Sequence, residues 1–170
     1  LTRALKAGLC LFMLSSWEAV AEVHRMPTAE DAFAIRISGE ITNSDVNSFS
    51  VILRTFDRAR HAGLGVFLNS NGGDINAAIE IGRKLRQVRG LAIVNINDEC
   101  ASACVFILAG AVTRSVEGRI GIHRPYSMAR SELSFSEHQK AHDNLNNFIR
   151  AYLKEMNIHE SLLDAMNTVP

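Results

Sequence analysis

Three short motifs in this 170-residue chain carry the side chains that could do chemistry. Ser102 lies at the centre of Cys100-Ala-Ser-Ala-Cys104, and His123 lies within Ile122-His-Arg-Pro125. Upstream, Asn69-Ser-Asn-Gly-Gly-Asp74 contains two adjacent glycines. A serine hydroxyl becomes a useful nucleophile when a neighbouring base takes its proton, and neutral imidazole suits that task near physiological pH. Together, the motifs predict a serine hydrolase with Ser102 as nucleophile and His123 as base.

The backbone around these motifs could supply an oxyanion hole. The sequence predicts Ser102 in the first turn of a buried helix, where free N–H groups favour developing negative charge. The N–H groups of Gly73 and Ala103 are the candidate donors. Glycine lacks a Cβ, so its backbone can approach a substrate closely. Each motif also has a purely structural interpretation, in which Ser102 is a helix N-cap, His123 a structural histidine and the glycine pair a tight turn.

Length and composition limit the class of protein. The chain is long enough for one well-buried domain, and a second full domain would not fit comfortably. Lys and Arg together equal Asp and Glu in number, so the formal net charge is zero. No basic stripe typical of a nucleic-acid binder is present, and no internal repeat or low-complexity tract indicates a solenoid or a linker. We therefore expect a single domain that binds no nucleic acid.

Apolar segments and helical patterns alternate along the chain. Buried strands are predicted over residues 34–38, 65–69, 91–96 and 119–123. Helices are predicted from Ser44 or Asp45 to near Gly63, and over residues 75–90, 102–111, 132–156 and 160–166. This alternation is typical of α/β proteins with a mostly parallel sheet, whose sites form at the carboxyl ends of the strands. All three motifs fall at such ends.

The motifs resemble those of a known superfamily. Asn69-Ser-Asn-Gly-Gly73 resembles an Asn-Ser-Pro-Gly-Gly oxyanion loop, with Asn71 in place of the proline. Cys100-Ala-Ser-Ala-Cys104 resembles Ala-Ala-Ser-Met-Gly around a nucleophile, and Ile122-His-Arg-Pro125 resembles Ile-His-Gln-Pro around a base. Over residues 35–166 the chain resembles the ClpP/crotonase superfamily, specifically ClpP-type serine peptidases and their exported relatives. The resemblance implies one domain over residues 30–170, built from repeated β-β-α and βα units with a mostly parallel sheet and a protruding handle helix.

The resemblance also implies roles for individual residues. Ser102 would be the nucleophile, His123 the general base and later acid, and Gly73 and Ala103 the oxyanion donors. It implies a peptide or unfolded-protein substrate, no cofactor, and a homo-oligomer formed through the handle helix over residues 132–156.

The third member of the catalytic triad is not found in the sequence. The resemblance puts this acid at or just past Pro170, and residues 166–170 hold no carboxylate. We therefore expect the domain to be truncated before the acid, or this branch to use a different partner. Asp143 and Asp164 are predicted to be peripheral.

Two other functions are consistent with the same motifs. A catalytically impaired, oligomeric binding module would keep the fold and would not need the acid. A CoA-thioester enzyme of the crotonase branch would use the two backbone N–H groups, but its chemistry needs neither the serine nor the histidine. The presence of both Ser102 and His123 therefore favours the peptidase.

The first residues resemble a secretory signal. Arg3 and Lys6 precede an apolar run over residues 7–14, and Ala19-Val-Ala21 matches a signal-peptidase site. We expect a signal peptide over residues 1–21 and export to the bacterial periplasm; the alternatives are an uncleaved membrane anchor or a helix packed on the domain. Because no ATP pool exists outside the inner membrane, an ATP-driven unfoldase partner is not expected.

The cysteines and the remaining histidines suggest few further sites. In an oxidising compartment Cys100 and Cys104 could form a disulfide; otherwise they are small apolar residues packing the turn around Ser102. His138 and His142 have helical spacing, but Gln139 replaces the glutamate of the zinc-binding His-Glu-x-x-His pattern. No metal site is predicted.

Overall fold

The computed structural model describes residues 22–126 and 134–169. The predicted signal peptide over residues 1–21 lies outside the described residues. So do the first two residues of the predicted handle helix, Glu132 and Leu133, and the C-terminal Pro170.

The described residues form an α/β domain. Its seven strands are β1 Glu22–Arg25, β2 Ala32–Ile41, β3 Gly63–Gly73, β4 Leu91–Val94, β5 Glu99–Ala101, β6 Thr113–Val116 and β7 Arg119–Gly121. Its five helices are α1 Asn43–Leu53, α2 Ile75–Gln87, α3 Cys104–Gly110, α4 Phe135–Glu155 and α5 Ser161–Thr168.

The sheet is parallel apart from one edge. Strands β1, β2, β3, β4 and β6 follow one another in that order, and β1 pairs antiparallel with β2 while the other neighbours are parallel. Strand β5 pairs with the end of β3 and with β7, both in parallel. The α/β class with a mostly parallel sheet is thereby confirmed. Since parallel neighbours require crossovers, α1, α2 and α3 lie between strands in sequence, whereas α4 and α5 follow β7.

Large apolar residues at every second position of the central strands form the core. In β2, Phe33, Ile35 and Ile37 are buried, and in β3 so are Leu64 and Val66 at the same period of two. The in-register pairing of β2 with β3 aligns these side chains on shared faces of the sheet. The helices cover them with further aliphatic and aromatic side chains, making one continuous core.

Some element boundaries differ from the sequence prediction. Helix α1 ends at Leu53 and not near Gly63, because the Asp57 carboxylate accepts the Ala59 N–H at 2.9 Å and starts a local turn. Helix α3 begins at Cys104, two residues after its predicted start at Ser102. Strands β1, β5 and β6 were not predicted, since they have three or four residues each and lack a long apolar run.

Helices α2 and α3 pack unusually closely at two glycines. A Cβ on Gly110 would lie 2.4 Å from the carbonyl oxygen of Gly82, so only glycine permits this approach. Beside this contact, the buried Tyr152 hydroxyl of α4 donates a 2.7 Å hydrogen bond to the Phe106 carbonyl of α3. Burial raises the pKa of Tyr152, which therefore remains a donor. These contacts tie α4 to the helix that follows the predicted nucleophile.

Helix α4 is the long helix predicted as the handle. Among its residues only Ile149, Tyr152 and Leu153 are buried, and all three lie in its second half. At its start Ser134 and Glu137 form a capping box, and the hydrogen bond from the Ser134 hydroxyl lowers the pKa of the Glu137 carboxyl. The first half of α4 is thus supported mainly by its own capping and presents side chains to solvent.

Replacing Gly110 with alanine tests the close approach of α2 and α3. Helix propensity alone would make Gly110→Ala stabilising by up to about 1 kcal/mol. Because the added methyl meets backbone atoms of Gly82, we expect a loss of about 1–3 kcal/mol in the free energy of unfolding, measured by urea denaturation. In the control Gly63→Ala, the methyl meets no atom within 4 Å, and stability should change by less than about 0.5 kcal/mol. Equal effects of the two substitutions would contradict the prediction.

Candidate active site

Ser102 occupies a tight turn between β5 and α3. Its φ is 53°, a left-handed conformation that is uncommon for a residue with a side chain. Its N–H donates to the Gly121 carbonyl at 2.9 Å, and its own carbonyl accepts the Val105 N–H at 3.1 Å. The sequence predicted Ser102 inside the first helical turn; the structure puts it just before the helix, because the chain must reverse there to enter α3.

Two cysteines flank this turn and are joined. Cys100 lies in β5 and Cys104 is the first residue of α3, and a disulfide connects them with a Cα–Cα distance of 5.2 Å. Both side chains are fully buried. The covalent ring therefore closes around Ala101, Ser102 and Ala103.

Ser102 and His123 lie in direct contact. The Ser102 hydroxyl is 2.8 Å from Nε2 of His123, which is a hydrogen-bond distance. Their proximity follows from the parallel pairing of β5 with β7, in which Ala101 faces Gly121. Each strand ends there, and the two side chains follow within two residues. The sequence-predicted pair is thus brought together by local sheet geometry.

The other nitrogen of His123 faces a backbone carbonyl. Nδ1 lies 2.9 Å from the carbonyl oxygen of Arg124, and the Arg124 guanidinium in turn donates to the Asn167 carbonyl at 3.1 Å. Within residues 22–126 and 134–169, no carboxylate is hydrogen-bonded to His123. The two aspartates predicted to be peripheral lie on other elements. Oδ1 of Asp143, on α4, is 4.0 Å from Nδ1 of His142, and the backbone N–H of Asp164 donates to the Glu160 carbonyl at the start of α5.

The Gly-Gly segment lies directly against the nucleophile turn. Gly72 and Gly73 end β3 with φ values of 109° and 133°. A Cβ on Gly72 would lie 2.5 Å from the Ser102 Cβ and 3.0 Å from the Ala103 amide nitrogen. Ala103, almost fully buried, precedes α3 as its N-cap residue. Glycine is therefore required at Gly72 both by conformation and by space.

The buried side chain of Ser70 forms hydrogen bonds that hold the Gly72–Gly73 segment. Ser70 is 2% exposed; its hydroxyl donates to the Gly39 carbonyl and accepts the Gly72 N–H at 3.1 Å. Sequence reasoning quoted Ser70 within a motif but gave it no role. Arg124 was likewise given no role from the sequence. Its contact with His123 is made by a backbone carbonyl, which every residue type has, so the sequence offers no signal for it.

A cleft of about 920 Å³ opens over these groups. Ser102, His123, Gly72, Gly73 and Ala103 all line it. Its apolar wall comes from several elements: Ile41, Ile75, Phe106, Leu145 and Met166. Among the described residues, the carboxylates that line it are those of Glu40 and Asp74, and the Asp74 carboxylate accepts the Ala77 N–H as the α2 N-cap. The Tyr126 ring, two-thirds exposed, stacks on His123 at 5.8 Å.

The histidines of α4 are engaged by neighbours on the same helix. His138 Nδ1 contacts the Ser134 carbonyl, and His142 Nδ1 contacts the Asn146 amide. Across the described ranges, no group of three or more His, Cys, Asp or Glu side chains is placed to hold a metal ion. The described helices include none with both the length and the apolar character needed to cross a bilayer.

Comparisons with known proteins identify relatives over most of the chain. A family model described as Clp protease matches residues 21–161. No significant match was found among curated proteins. The solved structures that resemble the chain include a point mutant of ClpP1 from Listeria monocytogenes, with 21% identity and a TM-score of 0.53, covering 73% of this chain and 76% of that one.

A second solved relative is the 1510-N membrane-bound stomatin-specific protease. One serine-to-alanine mutant of that protease shows 22% identity and a TM-score of 0.53, covering 72% of this chain. The matched region spans 60% of the length of that protein. A lysine-to-alanine mutant, in complex with a substrate peptide, matches at 23% identity and a TM-score of 0.52, covering 72% of this chain and 57% of that one. These likenesses show a shared fold.

Removing the Ser70 hydroxyl tests the support beneath Gly72. Ser70→Ala leaves the Gly39 carbonyl and the Gly72 N–H without this buried partner, so we expect a loss of about 1–3 kcal/mol in the free energy of unfolding. Ser48→Ala on the exposed face of α1 is the matched control and should change stability by less than about 0.5 kcal/mol. Denaturation curves that coincide for Ser70→Ala and wild type would show that the segment does not depend on Ser70.

Proposed function

This chain belongs to the Clp protease family, whose model spans residues 21–161, and we propose that it is a serine peptidase acting through an acyl-enzyme on Ser102. The observation that carries the proposal is the 2.8 Å contact between the Ser102 hydroxyl and His123 Nε2 inside a substrate-sized cleft. Nucleophile and base within hydrogen-bond reach are the geometric signature of such catalysis.

The proposed reaction has two stages, formation of the acyl-enzyme and its hydrolysis, and His123 moves a proton in both. His123 takes the Ser102 proton as the oxygen attacks the peptide carbonyl, and the N–H groups of Gly73 and Ala103 bind the resulting oxyanion. The tetrahedral intermediate collapses, the peptide C–N bond breaks, and the imidazolium returns the proton to the leaving amine. A water molecule, deprotonated by His123, then cleaves the acyl-enzyme ester and regenerates the serine.

His123 is proposed to be oriented by a carbonyl and not by a carboxylate. An Nδ1–H donated to the Arg124 carbonyl leaves Nε2 unprotonated and facing the Ser102 hydroxyl, which is the tautomer a base requires. The Arg124 side chain fixes this carbonyl by bonding the end of α5. A carbonyl lacks the negative charge that stabilises an imidazolium, so the arrangement positions the base without that stabilisation.

The cleft supports a peptide substrate in an extended form. Its apolar wall suits aliphatic or aromatic side chains, while Glu40 at the exposed rim favours neutral or cationic peptides over acidic ones. A substrate peptide bound to the structurally similar stomatin-specific protease is consistent with this class.

We also propose a homo-oligomer and an extracytoplasmic location. The exposed first half of α4 is available for self-association, and Phe135 there is 84% exposed. A disulfide beside the nucleophile fits an oxidising compartment, consistent with the signal peptide predicted over residues 1–21. In that location the enzyme would work without an ATP-driven unfoldase; a stable complex with a cytoplasmic unfoldase would contradict this.

A catalytically impaired binding module is the second candidate. It is favoured by one observation: among the described residues His123 contacts a carbonyl where a triad would have a carboxylate. A crotonase-type enzyme is less favoured, because it would leave the Ser102–His123 contact without a use.

Labelling with a fluorophosphonate probe tests the peptidase. Wild type should form a covalent adduct at Ser102, and both Ser102→Ala and His123→Ala should lower peptide turnover by about 10²-fold or more. Ser48→Ala, which removes an exposed serine of α1, should label like wild type. Adduct position is read by peptide mass spectrometry. Folded wild type that never labels would favour the binding module, and turnover of an enoyl-CoA would favour the crotonase branch.

Substituting Arg124 tests the proposed orientation of the base. Arg124→Ala releases the loop that carries the carbonyl facing His123, so kcat should fall by up to about 100-fold with KM nearly unchanged. Arg124→Lys retains one donor toward Asn167 and should recover part of kcat. Arg54→Ala, at the exposed end of α1, controls for loss of a positive charge. A rise in KM with unchanged kcat would assign Arg124 to substrate binding.

A further inference from the structure

The disulfide beside the nucleophile encloses the residues that the proposed reaction depends on most. We propose that the Cys100–Cys104 disulfide is a positioning element, which holds the Ser102 hydroxyl and the Ala103 amide in their reactive geometry, so that efficient turnover requires the oxidised protein. The inference rests on the proposed peptidase function and adds a redox requirement to it.

Both ends of the covalent ring are fixed in regular structure. Cys100 lies in β5, where it pairs with Ser70 of β3 on one side and Ile120 of β7 on the other. Cys104 is the first residue of α3, a helix whose every residue is buried. The disulfide therefore joins two rigid elements across only three intervening residues, and little freedom remains for the turn between them.

The turn itself has few other restraints. Ser102 adopts a left-handed φ that a residue with a side chain rarely holds without external support. Two backbone hydrogen bonds act on it, from its N–H to Gly121 and from Val105 to its carbonyl. The second bond acts on the planar Ser102–Ala103 peptide and so helps to orient the Ala103 N–H, the proposed oxyanion donor. The disulfide joins the residues on both sides of this peptide and adds a covalent restraint to that single hydrogen bond.

Opening the ring should affect chemistry more than binding. The apolar wall of the cleft is built from α2, α3, α4, α5 and β2, through Ile75, Phe106, Leu145, Met166 and Ile41, and none of these belongs to the ring. A substrate should thus still bind when the turn relaxes. A displacement of about 1 Å at the reacting groups lowers the rate on the order of 10²-fold. We expect kcat to fall on that scale while KM stays close to the wild-type value.

Two versions of the full chain open the ring. In the first, Cys100→Ala and Cys104→Ala are combined. In the second, the wild-type disulfide is reduced in the folded protein by dithiothreitol: each cysteine gains one hydrogen, and the reagent becomes its cyclic disulfide. Cys10→Ala is included throughout, so that the other cysteine of the chain does not react. Circular dichroism and thiol mapping by mass spectrometry verify fold and redox state.

A matched core variant separates positioning from general stability. Ile81→Ala removes a fully buried side chain of α2 that does not line the cleft. It should lower the melting temperature yet leave kcat and the fluorophosphonate labelling rate near wild type below that temperature. Reoxidation of the reduced protein should restore the labelling rate, which a simple loss of folded protein would not do.

The outcomes distinguish the two proposals. A folded, ring-opened protein with kcat and labelling rate lowered about 100-fold and KM unchanged supports the positioning role. Ring-opened protein that labels as fast as oxidised wild type overturns it and leaves the peptidase intact. Oxidised wild type that does not label overturns both. If the double variant does not fold, the dithiothreitol and reoxidation series decides between the first two outcomes.

Discussion

The pairing of two three-residue strands is the constraint on which the site depends. Strands β5 and β7 run parallel, with Ala101 opposite Gly121, and the chain continues from each for only one or two residues before the reactive side chain. The distance between Ser102 and His123 is therefore set by the spacing of neighbouring strands and not by the length of a loop. The Ser102 amide bonds back to the Gly121 carbonyl and locks the two strand ends together.

The side of the cleft with the proposed oxyanion donors is formed by the backbone of Gly72, Gly73 and Ala103. Gly72 lies so close to Ser102 that a methyl group would overlap it, and the segment is held by Ser70 beneath and by pairing with β2. Backbone amides held in this way need no reorganisation when charge develops, which is why such sites are effective.

The sequence predicted the parts of this arrangement that depend on periodicity. The buried alternation of Phe33, Ile35 and Ile37 and the apolar spacing of α2 indicated the α/β layers, and the order of three motifs indicated the site. Short strands such as β5 escaped prediction, because Glu99 and Ala101 carry no apolar signal and the strand is defined by its partners. The left-handed φ at Ser102 and the carbonyl facing His123 depend on tertiary contacts, which residue type does not encode.

The proposed mechanism separates two functions of a triad acid. In it, the Arg124 carbonyl orients the imidazole, while the Arg124 side chain bonds the end of α5 and the disulfide ring supports the serine. Stabilisation of the imidazolium charge has no counterpart among the described residues near His123. Losing that charge while keeping geometry costs on the order of 10⁴-fold in a serine protease, and an oxyanion hole with substrate binding still gives about 10³–10⁴-fold over water. In the proposed mechanism, the rate therefore depends on rigid positioning of the Ser102 hydroxyl and the imidazole, to which the small buried disulfide ring beside Ser102 would contribute.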